Sequence, residues 1–534
     1  MKIAELLLRM LEENGVRHIF GNPGTTEIPL VRMCERRRDL RYIVALSEVA
    51  AVPMADGYAR ATRSLGVVNL HVAPGLGNGM GALYTAGIAQ TPLLVLVGGQ
   101  DRRLLHTQPI LWGPLERMAA SVLKDVFTLS TRTDAAAHIR RALRSALTPP
   151  FGPVALICPP DLLEENLAAK PARVQPPALG ALGDARALEY VKRLRRARRP
   201  AFIAAEDVHW SNAGAALEQL AALCRAPVYV APYTGALPVS SNAPCYAGYL
   251  PPSRKQIGER LSQHDLLCFV GGTTMRTTLY SEATGGQPRL WIGTDPGVVA
   301  ADGEFELATL ADPGTALREL AGHMPRQRNA PKQKSARMAL ELPAQSAKVL
   351  HPSRAVHALL EAFPDALWVD ESGLSTSDVR QWMRLPAGDY LINGSGGIGW
   401  GLAAAVGAAI ACPSRQVVAI IGDGSTLYAS EALWTAAHHG THLLLVVLSN
   451  RRYATLNEAA SRLTGHALDL FTIEPPVIDF SGLATLYGWA HVRVTREPEL
   501  AAGLAGLGGK LKRNTLLEIV LDPAVKPVTA ARHF

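Results

Sequence analysis

Two polar residues near the carboxyl end of the sequence each follow a buried, strand-like run. Asp423 stands in Gly-Asp-Gly-Ser after the first run, and Asn450 stands after the second. A helical stretch joins the runs into one βαβ unit, so both strands end at the same edge of a parallel sheet. We therefore expect Asp423 and Asn450 to lie side by side and to offer the oxygen ligands that suit Mg²⁺. The backbone N–H groups of Gly424 and Ser425 would open a helix and attract a phosphate.

Two residues capable of acid–base chemistry occupy similar positions in the amino-terminal part. Glu48 follows a strand-like run and opens a helical stretch of small residues, and His71 ends the next run. A glutamate at a helix start is by itself more often a favourable partner of the helix dipole. A single histidine at a strand end is likewise more often structural. The chemistry of both residues therefore depends on what the rest of the chain supports.

The length and composition predict a large α/β protein. With 534 residues, of which 48% are hydrophobic and 19% charged, the chain should form about three domains with well-buried cores. Two stretches without periodicity, 166–183 and 325–346, are the expected linkers. Cutting there predicts domains at 1–165, 184–325 and 348–534.

Short apolar runs alternate with helical stretches in all three pieces, which predicts three doubly wound parallel-sheet domains. The predicted strands are 42–46, 67–71, 92–98 and 153–158 in the first piece, 201–205, 228–231, 266–271 and 289–293 in the middle, and 366–369, 416–421, 443–448 and 515–521 in the last.

Charge and cysteine content exclude several classes of protein. The formal charge of +8 comes without aromatic stacking residues or a reader motif, so we expect an anionic substrate or cofactor and no nucleic acid. Residues 1–20 read as an amphipathic helix rather than a signal peptide, and no apolar run is long enough to span a membrane. The cysteines form no C-x-x-C pair and suggest a reducing compartment, hence a cytoplasmic location. They are Cys34, Cys158, Cys224, Cys245, Cys268 and Cys412.

The spacing of Asp423 and Asn450 resembles the thiamine-diphosphate signature, in which an asparagine follows a Gly-Asp-Gly by this interval. The whole chain resembles the family of thiamine-diphosphate-dependent 2-oxo-acid decarboxylases and carboligases, and within it the benzoylformate decarboxylase branch. The resemblance implies a pyrimidine-binding, a middle and a diphosphate-binding domain. It is carried by residues 20–27, 41–48, 55–59 and 69–71, and by 396–399, 423–437, 477–480 and 523–527.

The resemblance also implies how the cofactor is held. Asp423, Asn450 and the backbone carbonyl of Arg452 would bind Mg²⁺, with Ca²⁺ as an alternative ion. Ile398 would be an apolar wedge that bends the cofactor. The other residues assigned to cofactor binding are Asn22, Pro23, Gly24, Glu48, Gly373, Leu374, Gly396, Gly422, Gly424, Ser425 and Tyr453.

Four residues are expected to act in catalysis. Glu48 would activate the cofactor through its pyrimidine ring, which requires a carboxyl group in an apolar pocket. His71 would shuttle protons, and Thr25 would place a hydroxyl near the substrate carboxylate. Thr278 stands where the benzoylformate branch has a second histidine, and a threonine cannot be a general acid near neutral pH.

The expected substrate pocket differs from that branch as well. It contains Ile392, Thr455 and Ala459, and the branch has phenylalanine in place of Ile392 and Ala459. The turn that begins at Glu371 is also altered, with an apparent one-residue deletion. These changes leave the cofactor machinery intact but make benzoylformate itself an uncertain substrate.

The resemblance implies non-oxidative decarboxylation of a small-molecule 2-oxo acid to an aldehyde. The alternative is a carboligase that forms a hydroxyketone or an acetolactate-type product, because loss of the second histidine favours a reaction in which protonation matters less. A homodimer or homotetramer with active sites at the subunit interface is implied. FAD is not expected, since the middle piece carries no strong signal for it.

Two other classes of function remain open. Gly77, Gly79 and Ala82 fit the loose dinucleotide-binding fingerprint of an NAD-dependent dehydrogenase, and Asp101 follows about twenty residues later. This interpretation leaves the βαβ unit around Asp423 without a use. The third class is a non-catalytic relative, against which the joint presence of Glu48, Asp423 and Asn450 argues.

Overall fold

The computed structural model describes residues 1–272, 275–282, 285–302, 304–325, 337, 340–346, 350–507 and 511–530. Within these ranges the chain forms three six-stranded parallel sheets, each flanked by helices. The predicted α/β class, with three doubly wound parallel-sheet domains, is confirmed. The first predicted linker, 166–183, holds no helix or strand, and most of the second lies outside the described residues.

The first sheet comprises β1 (His18–Gly21), β2 (Arg41–Val44), β3 (Gly66–Leu70), β4 (Leu93–Gly98), β5 (Asp125–Thr128) and β6 (Pro153–Cys158). Its order is β2-β1-β3-β4-β6-β5. Strand β4 buries every residue, as expected where helices cover both faces of a sheet. Its helices are α1 (Ile3–Glu13), α2 (Ile28–Cys34), α3 (Glu48–Thr62), α4 (Val72–Ile88), α5 (Leu115–Ala120), α6 (Ala135–Ala146) and α7 (Pro160–Glu164), with 3₁₀ turns at Thr25–Glu27 and Arg102–Thr107.

The middle sheet comprises β7 (Pro200–Ala204), β8 (Val228–Val230), β9 (Tyr246–Tyr249), β10 (Leu266–Val270), β11 (Arg289–Gly293) and β12 (Leu307–Leu310). Its order is β12-β11-β10-β7-β8-β9, so the strand order reverses between β10 and β7. Its helices are α8 (Asp184–Arg196), α9 (Glu206–Trp210), α10 (Gly214–Cys224), α11 (Arg254–Leu261), α12 (Pro296–Asp302) and α13 (Pro313–His323).

The third sheet comprises β13 (Leu367–Glu371), β14 (Tyr390–Ile392), β15 (Val417–Gly422), β16 (Leu443–Ser449), β17 (Ala490–Val494) and β18 (Thr515–Val520). Its order is β14-β13-β15-β16-β18-β17. Its helices are α14 (Pro352–Ala362), α15 (Thr376–Trp382), α16 (Gly401–Ala411), α17 (Asp423–Leu427), α18 (Ala432–His438), α19 (Ala454–Thr464), α20 (Phe480–Leu486) and α21 (Glu497–Gly506), with 3₁₀ turns at Gly373–Ser375 and Asp469–Phe471.

Helices α3 and α16 pack with their backbones in contact, which joins the first and third sheets. A Cβ on Gly57 would lie 2.1 Å from the carbonyl oxygen of Ala404, and one on Gly407 would lie 1.9 Å from that of Met54. Only glycine fits at both positions. The small residues of these two helices are therefore a requirement of close packing.

A buried ion pair ties all three sheets together. Arg60 is 1% exposed and bonds to Asp56, and it also donates to the carbonyls of Gly235 and Ile392. The indole of Trp400 donates to Asp56 at 2.6 Å. Removing one partner of such a buried pair costs about 3–5 kcal/mol. Because Arg60 also bonds to the Ile392 carbonyl, the network helps to fix the position of Ile392.

Most strands that the sequence analysis missed lie at sheet edges. Strands β5, β9, β12, β14 and β17 were not predicted, and each is an edge strand in its sheet. Four of these strands are partly exposed and lack continuous apolar runs, whereas β14 is buried but only three residues long. The sixth missed strand, β1, lies within the expected helix 1–20, which instead ends at Glu13 before Gly15 in a left-handed conformation.

One expected helix is interrupted. The helical stretch expected between the two apolar runs is divided, since α17 ends at Leu427 and α18 begins only at Ala432. The helix that opens at the Gly-Asp-Gly motif is therefore short. All six cysteines are unpaired, and four of them are buried. Among the described residues, no helix combines the length and apolar character that crossing a bilayer requires.

Candidate active site

The carboxyl edge of the third sheet brings together the two polar residues singled out above. Strands β15 and β16 pair in parallel with Gly422 opposite Leu448. Asp423, the first residue of α17, follows the first strand and Asn450 follows the second, so both lie at the same edge of the sheet. This is the arrangement that the βαβ pattern predicted.

The carboxylate of Asp423 is buried and fixed by backbone donors. Its Oδ1 accepts the N–H of Gly424 at 2.8 Å, and its Oδ2 accepts that of Arg451 at 2.6 Å. Burial nevertheless raises the pKa of Asp423, since its effect outweighs that of the backbone N–H groups, which act in the opposite direction. A cation at this position would stabilise the charged form.

The neighbouring loop completes a set of hard oxygen donors. The side-chain oxygen of Asn450 accepts the N–H of Arg452, and the carbonyl of Arg452 accepts only the N–H of Ala454 among the described backbone bonds. A carboxylate, an amide oxygen and a carbonyl suit Mg²⁺ or Ca²⁺. The residues present therefore fit the implied metal.

The loop after Asn450 turns at a large residue, Arg451, in an unusual backbone conformation. Arg451 adopts φ +62°, a left-handed conformation that non-glycine residues rarely take. Tyr453 lies against Gly424, where a Cβ would come within 2.8 Å of the tyrosine ring. Glycine at 424 is thus required for Tyr453 to cover the motif.

A cavity of about 950 Å³ opens at this edge. It lies between the third and middle sheets, and its size is at the upper end for a ligand site. Of the predicted residues, the cavity is lined by Thr278, Gly373, Leu374, Ile392, Gly396, Ile398, Gly422, Asp423, Gly424, Ser425, Asn450, Arg452, Tyr453 and Thr455. Ala459 lies on α19 but does not line the cavity.

Thr278 lines the cavity from the middle unit. Its hydroxyl donates to the carbonyl of Pro252 at 3.3 Å, and its backbone N–H donates to the same oxygen at 3.0 Å. The hydroxyl is therefore engaged with the backbone. Arg276 lines the same wall and pairs with Glu206 at 3.1 Å.

The amino-terminal group of residues forms a second cluster. Glu48 is 6% exposed at the start of α3 and accepts a hydrogen bond from the Asn78 amide at 3.2 Å. A Cβ on Gly75 would lie 2.6 Å from the Glu48 carboxylate. The start of α4 therefore leaves just enough room for this side chain.

His71 caps the start of α4 and faces the loop that holds Asn22, Pro23 and Gly24. A Cβ on Gly24 would lie 2.2 Å from the His71 ring, so glycine is required there. Thr25 is exposed in the adjoining 3₁₀ turn.

Glu27 is a functional candidate that the sequence analysis missed. It is 3% exposed, and its Oε2 lies 2.8 Å from Nδ1 of His71. The same oxygen accepts the N–H of Gly24, and Thr26 donates to its other oxygen. An ionised carboxylate only accepts hydrogen bonds, so beside ionised Glu27 the Nδ1 of His71 would be the donor and Nε2 would be left for chemistry. The signal available beforehand was an acidic residue in the Gly-Thr-Thr-Glu stretch that carried the resemblance.

The two clusters do not share a cleft within one chain. Among the residues that the structure describes, Tyr84 is the cavity's one lining residue from the first sheet's unit. Tyr84 lies nine residues beyond Gly75 on α4, a helical rise of roughly 14 Å. A single chain therefore presents the Asp423 cavity and the Glu48 cluster as separate half-sites.

The dinucleotide-binding alternative is inconsistent with the fold. Gly77 and Gly79 lie inside α4, which already begins at Val72, rather than in a turn between strand and helix. Gly79 instead packs against Val52 and Leu70. Asp101 caps a 3₁₀ turn and pairs with Arg103. Gly79 therefore serves helix packing, and Gly77 is an exposed residue of the same helix.

Comparison with known proteins identifies the class. Three family descriptions match: the N-terminal TPP-binding domain of thiamine pyrophosphate enzymes over residues 1–120, their central domain over 188–320, and their C-terminal TPP-binding domain over 371–519. Thiamine pyrophosphate is the same compound as thiamine diphosphate. The chain belongs to the thiamine pyrophosphate enzyme family.

Several relatives within that family match nearly the whole chain. A benzoylformate decarboxylase of Pseudomonas aeruginosa is 33% identical over 93% of this chain and 94% of its own. An acetolactate synthase isozyme 3 large subunit of Escherichia coli is 25% identical over 96% of this chain and 93% of its own. A thiamine diphosphate-dependent 4-hydroxybenzoylformate decarboxylase of Rhodococcus jostii has a structure that superposes with a TM-score of 0.90 at 29% identity, covering 98% and 99% of the two chains.

Proposed function

We propose that this enzyme is a thiamine-diphosphate- and Mg²⁺-dependent lyase that decarboxylates a 2-oxo acid non-oxidatively to an aldehyde. The observation that carries the proposal is the pairing of Asp423 and Asn450 at the mouth of a large cavity, in a chain similar to benzoylformate decarboxylases. The cofactor, when bound, supplies an electron sink for the bond beside the carbonyl.

The residues of the third unit would bind and orient. Asp423, Asn450 and the Arg452 carbonyl would hold the metal, and the N–H groups that open α17 would face the diphosphate. Ile398 is 42% exposed in the cavity, where an apolar side chain can support the bend of the cofactor. Ile392 and Thr455 would line the substrate pocket.

The residues of the first unit would move protons. Glu48 would hold a proton against the pyrimidine ring from its buried position at the start of α3. Glu27 fixes the orientation of His71, so that Nε2 can give or take a proton beside the substrate. Thr25 would face the substrate carboxylate.

We infer that two chains complete each site, as a homodimer or homotetramer. This is supported by the separation of the Asp423 cavity from the Glu48 cluster within one chain. The protein is proposed to be cytoplasmic, with domains at 1–165, 184–325 and 348–534.

A carboligase is the second candidate, and Thr278 favours it. The engaged hydroxyl of Thr278 offers no acid at the position where the benzoylformate branch has a histidine. A product that needs no protonation at this point, such as a hydroxyketone formed with a second carbonyl, would be released more readily.

A binding and turnover experiment tests both candidates. Calorimetry should show Mg²⁺-dependent binding of thiamine diphosphate, and a set of 2-oxo acids should give aldehyde without an added acceptor. A hydroxyketone as the main product with an acceptor aldehyde would favour the carboligase. Absence of cofactor binding would overturn both.

Replacing the activating carboxylate separates binding from chemistry. Glu48→Gln keeps the shape of the side chain but not its acidity, so the variant should bind the cofactor within about 3-fold of wild type and lose about 100-fold or more in kcat. Equal turnover by this variant would contradict the role of Glu48.

A further inference from the structure

We propose that Glu371 is a positioning residue that sets the conformation of the active-site loop 393–401. This loop carries Gly396 and Ile398, which the proposed function assigns to the cofactor, so the inference rests on that function. Glu371 ends β13 and lines the cavity, and it is not among the residues proposed above to bind the cofactor or the substrate.

The carboxylate of Glu371 bonds to both ends of the loop. Its Oε1 accepts the N–H of Gly399 at 2.7 Å, and its Oε2 accepts the N–H of Gly401 at 2.5 Å. The side-chain amide of Asn393, at the other end, lies 3.5 Å from Oε1. One side chain therefore spans the loop from its first residue to its last.

The backbone around these bonds leaves little alternative space. Gly396 and Gly399 adopt φ +79° and +101°, which strongly favour glycine. A Cβ on Gly401 would lie 2.7 Å from Cβ of Glu371, and one on Gly399 would lie 2.3 Å from the Tyr428 ring. The loop forms no helix or strand before Gly401, the first residue of α16, so its shape depends on side-chain acceptors such as Glu371 and Asn393.

A carboxylate is a costly choice for a purely structural contact at this place. Burial raises the pKa of Glu371 to about 7, although the N–H groups of Gly401 and Gly399 act in the opposite direction. A neutral glutamine would be easier to bury. A glutamine, however, offers one acceptor oxygen and one NH₂ donor, so in the same geometry one of the two backbone N–H groups would face an NH₂ group instead of an acceptor.

The test compares Glu371→Gln with the matched variant Glu218→Gln. Glu218 is a half-buried glutamate on α10 whose pKa burial also raises; it accepts the backbone N–H of Ser240 at 2.7 Å, and neither residue lines the cavity. Hydrogen exchange of the apoprotein should accelerate about 10-fold or more across 393–401 in Glu371→Gln and stay unchanged there in Glu218→Gln. This measurement needs no cofactor.

The holoenzyme provides the second measurement. In Glu371→Gln, kcat should fall about 10- to 100-fold, because a small displacement of a positioning group is enough for such a loss. The KM for the 2-oxo acid and the affinity for Mg²⁺ with pyrophosphate alone should stay within about 3-fold. Glu371→Asp, which keeps both acceptors on a shorter side chain, should recover part of kcat and serves if the glutamine variant does not fold.

The outcomes separate this inference from the proposed function. Wild-type turnover together with unchanged exchange and kcat in Glu371→Gln overturns the positioning role alone. Loss of pyrophosphate binding in that variant would indicate general damage to the third unit and also overturn it. A wild-type protein that neither binds thiamine diphosphate nor turns over a 2-oxo acid would overturn both.

Discussion

The third and middle sheets each have a buried acidic residue at the carboxyl edge. Only the acid of the third sheet lines the cavity. Asp423 follows β15 and faces the space of about 950 Å³. Asp207 follows β7 at the point where the strand order of the middle sheet reverses, which is where doubly wound sheets commonly bind ligands.

The middle edge is closed by its own backbone. Asp207 accepts the N–H of Thr294 at 2.9 Å, and a Cβ on Gly271 would lie 2.4 Å from Cβ of Asp207. Gly271 and Gly272 both adopt φ +73°, which lets the chain fold over the acid. The side chain of Asp207 occupies this edge, which is consistent with the expectation that FAD is not used. That expectation stays a prediction.

The two edges are connected rather than independent. Glu206, beside Asp207, is 4% exposed and pairs with Arg276, which lines the cavity. The closed edge of the middle sheet thus supports the part of the cavity wall that contains Arg276. Both acids accept backbone N–H groups, so the difference between the two edges is that Asp423 also lines the cavity whereas Asp207 does not.

The largest effect is expected from removing the acid of the open edge. Asp423→Ala removes a proposed metal ligand, so Mg²⁺-dependent affinity for thiamine diphosphate should fall about 100-fold or more and turnover should be lost. Calorimetry measures the affinity. Asp207→Asn, the matched change at the closed edge, should leave affinity within about 2-fold. Similar losses in both variants would mean that the two edges do not differ as described.

A smaller effect is expected from removing the Glu206–Arg276 ion pair, which links the two edges. Arg276→Met leaves Glu206 buried without its partner, so the free energy of unfolding should fall by about 1–3 kcal/mol. Urea denaturation followed by fluorescence measures this change. Adding Glu206→Gln to Arg276→Met should recover part of the loss, since the unpaired charge is then removed. A double variant less stable than the single one would contradict the pairing.

The smallest effect concerns pH at the closed edge. Burial is the largest cause that raises the pKa of Asp207 to about 7, and neighbouring Glu206 and Asp295 add to it. The folded state therefore holds this proton more tightly than the unfolded state, whose value is near 3.8. The stabilisation is complete below pH 4 and is lost as pH rises to about 7, by up to about 1.4 kcal/mol per pH unit.

Unfolding curves of the apoprotein between pH 4 and 8 test this prediction. Asp207→Asn cannot titrate, so its stability should decline less steeply than that of wild type across this window. A variant with the same slope as wild type would show that other groups, such as Glu371, dominate the pH dependence.

The open edge was the most predictable part of the site because its geometry is local. The strands before Asp423 and Asn450 are continuous apolar runs joined by a helix, and such a unit brings both strand ends to one edge. The buried strands of all three sheets followed from the same kind of run. Edge strands such as β17 did not, because their residues are partly exposed and mixed in polarity.

The partners of these residues were much less predictable. Glu27 and His71 are 44 positions apart in the sequence, and Glu371 bonds to residues about thirty positions later. Neither pair has a periodic or spacing signal, since their contact depends on how loops return to a sheet edge. The sequence analysis accordingly named His71 and Ile398 but not the side chains that orient them.

By itself the sequence determined the α/β class, the three-sheet organisation and the metal-type oxygen donors at Asp423 and Asn450, because strand burial and βαβ connection are short-range properties of the chain. Only the tertiary structure decided that the edge after β7 closes while the edge after β15 stays open. It also decided that Glu27 and Glu371 hold the residues around them. These outcomes depend on close approaches between distant segments, at Gly24, Gly271 and Gly401, which packing in three dimensions creates.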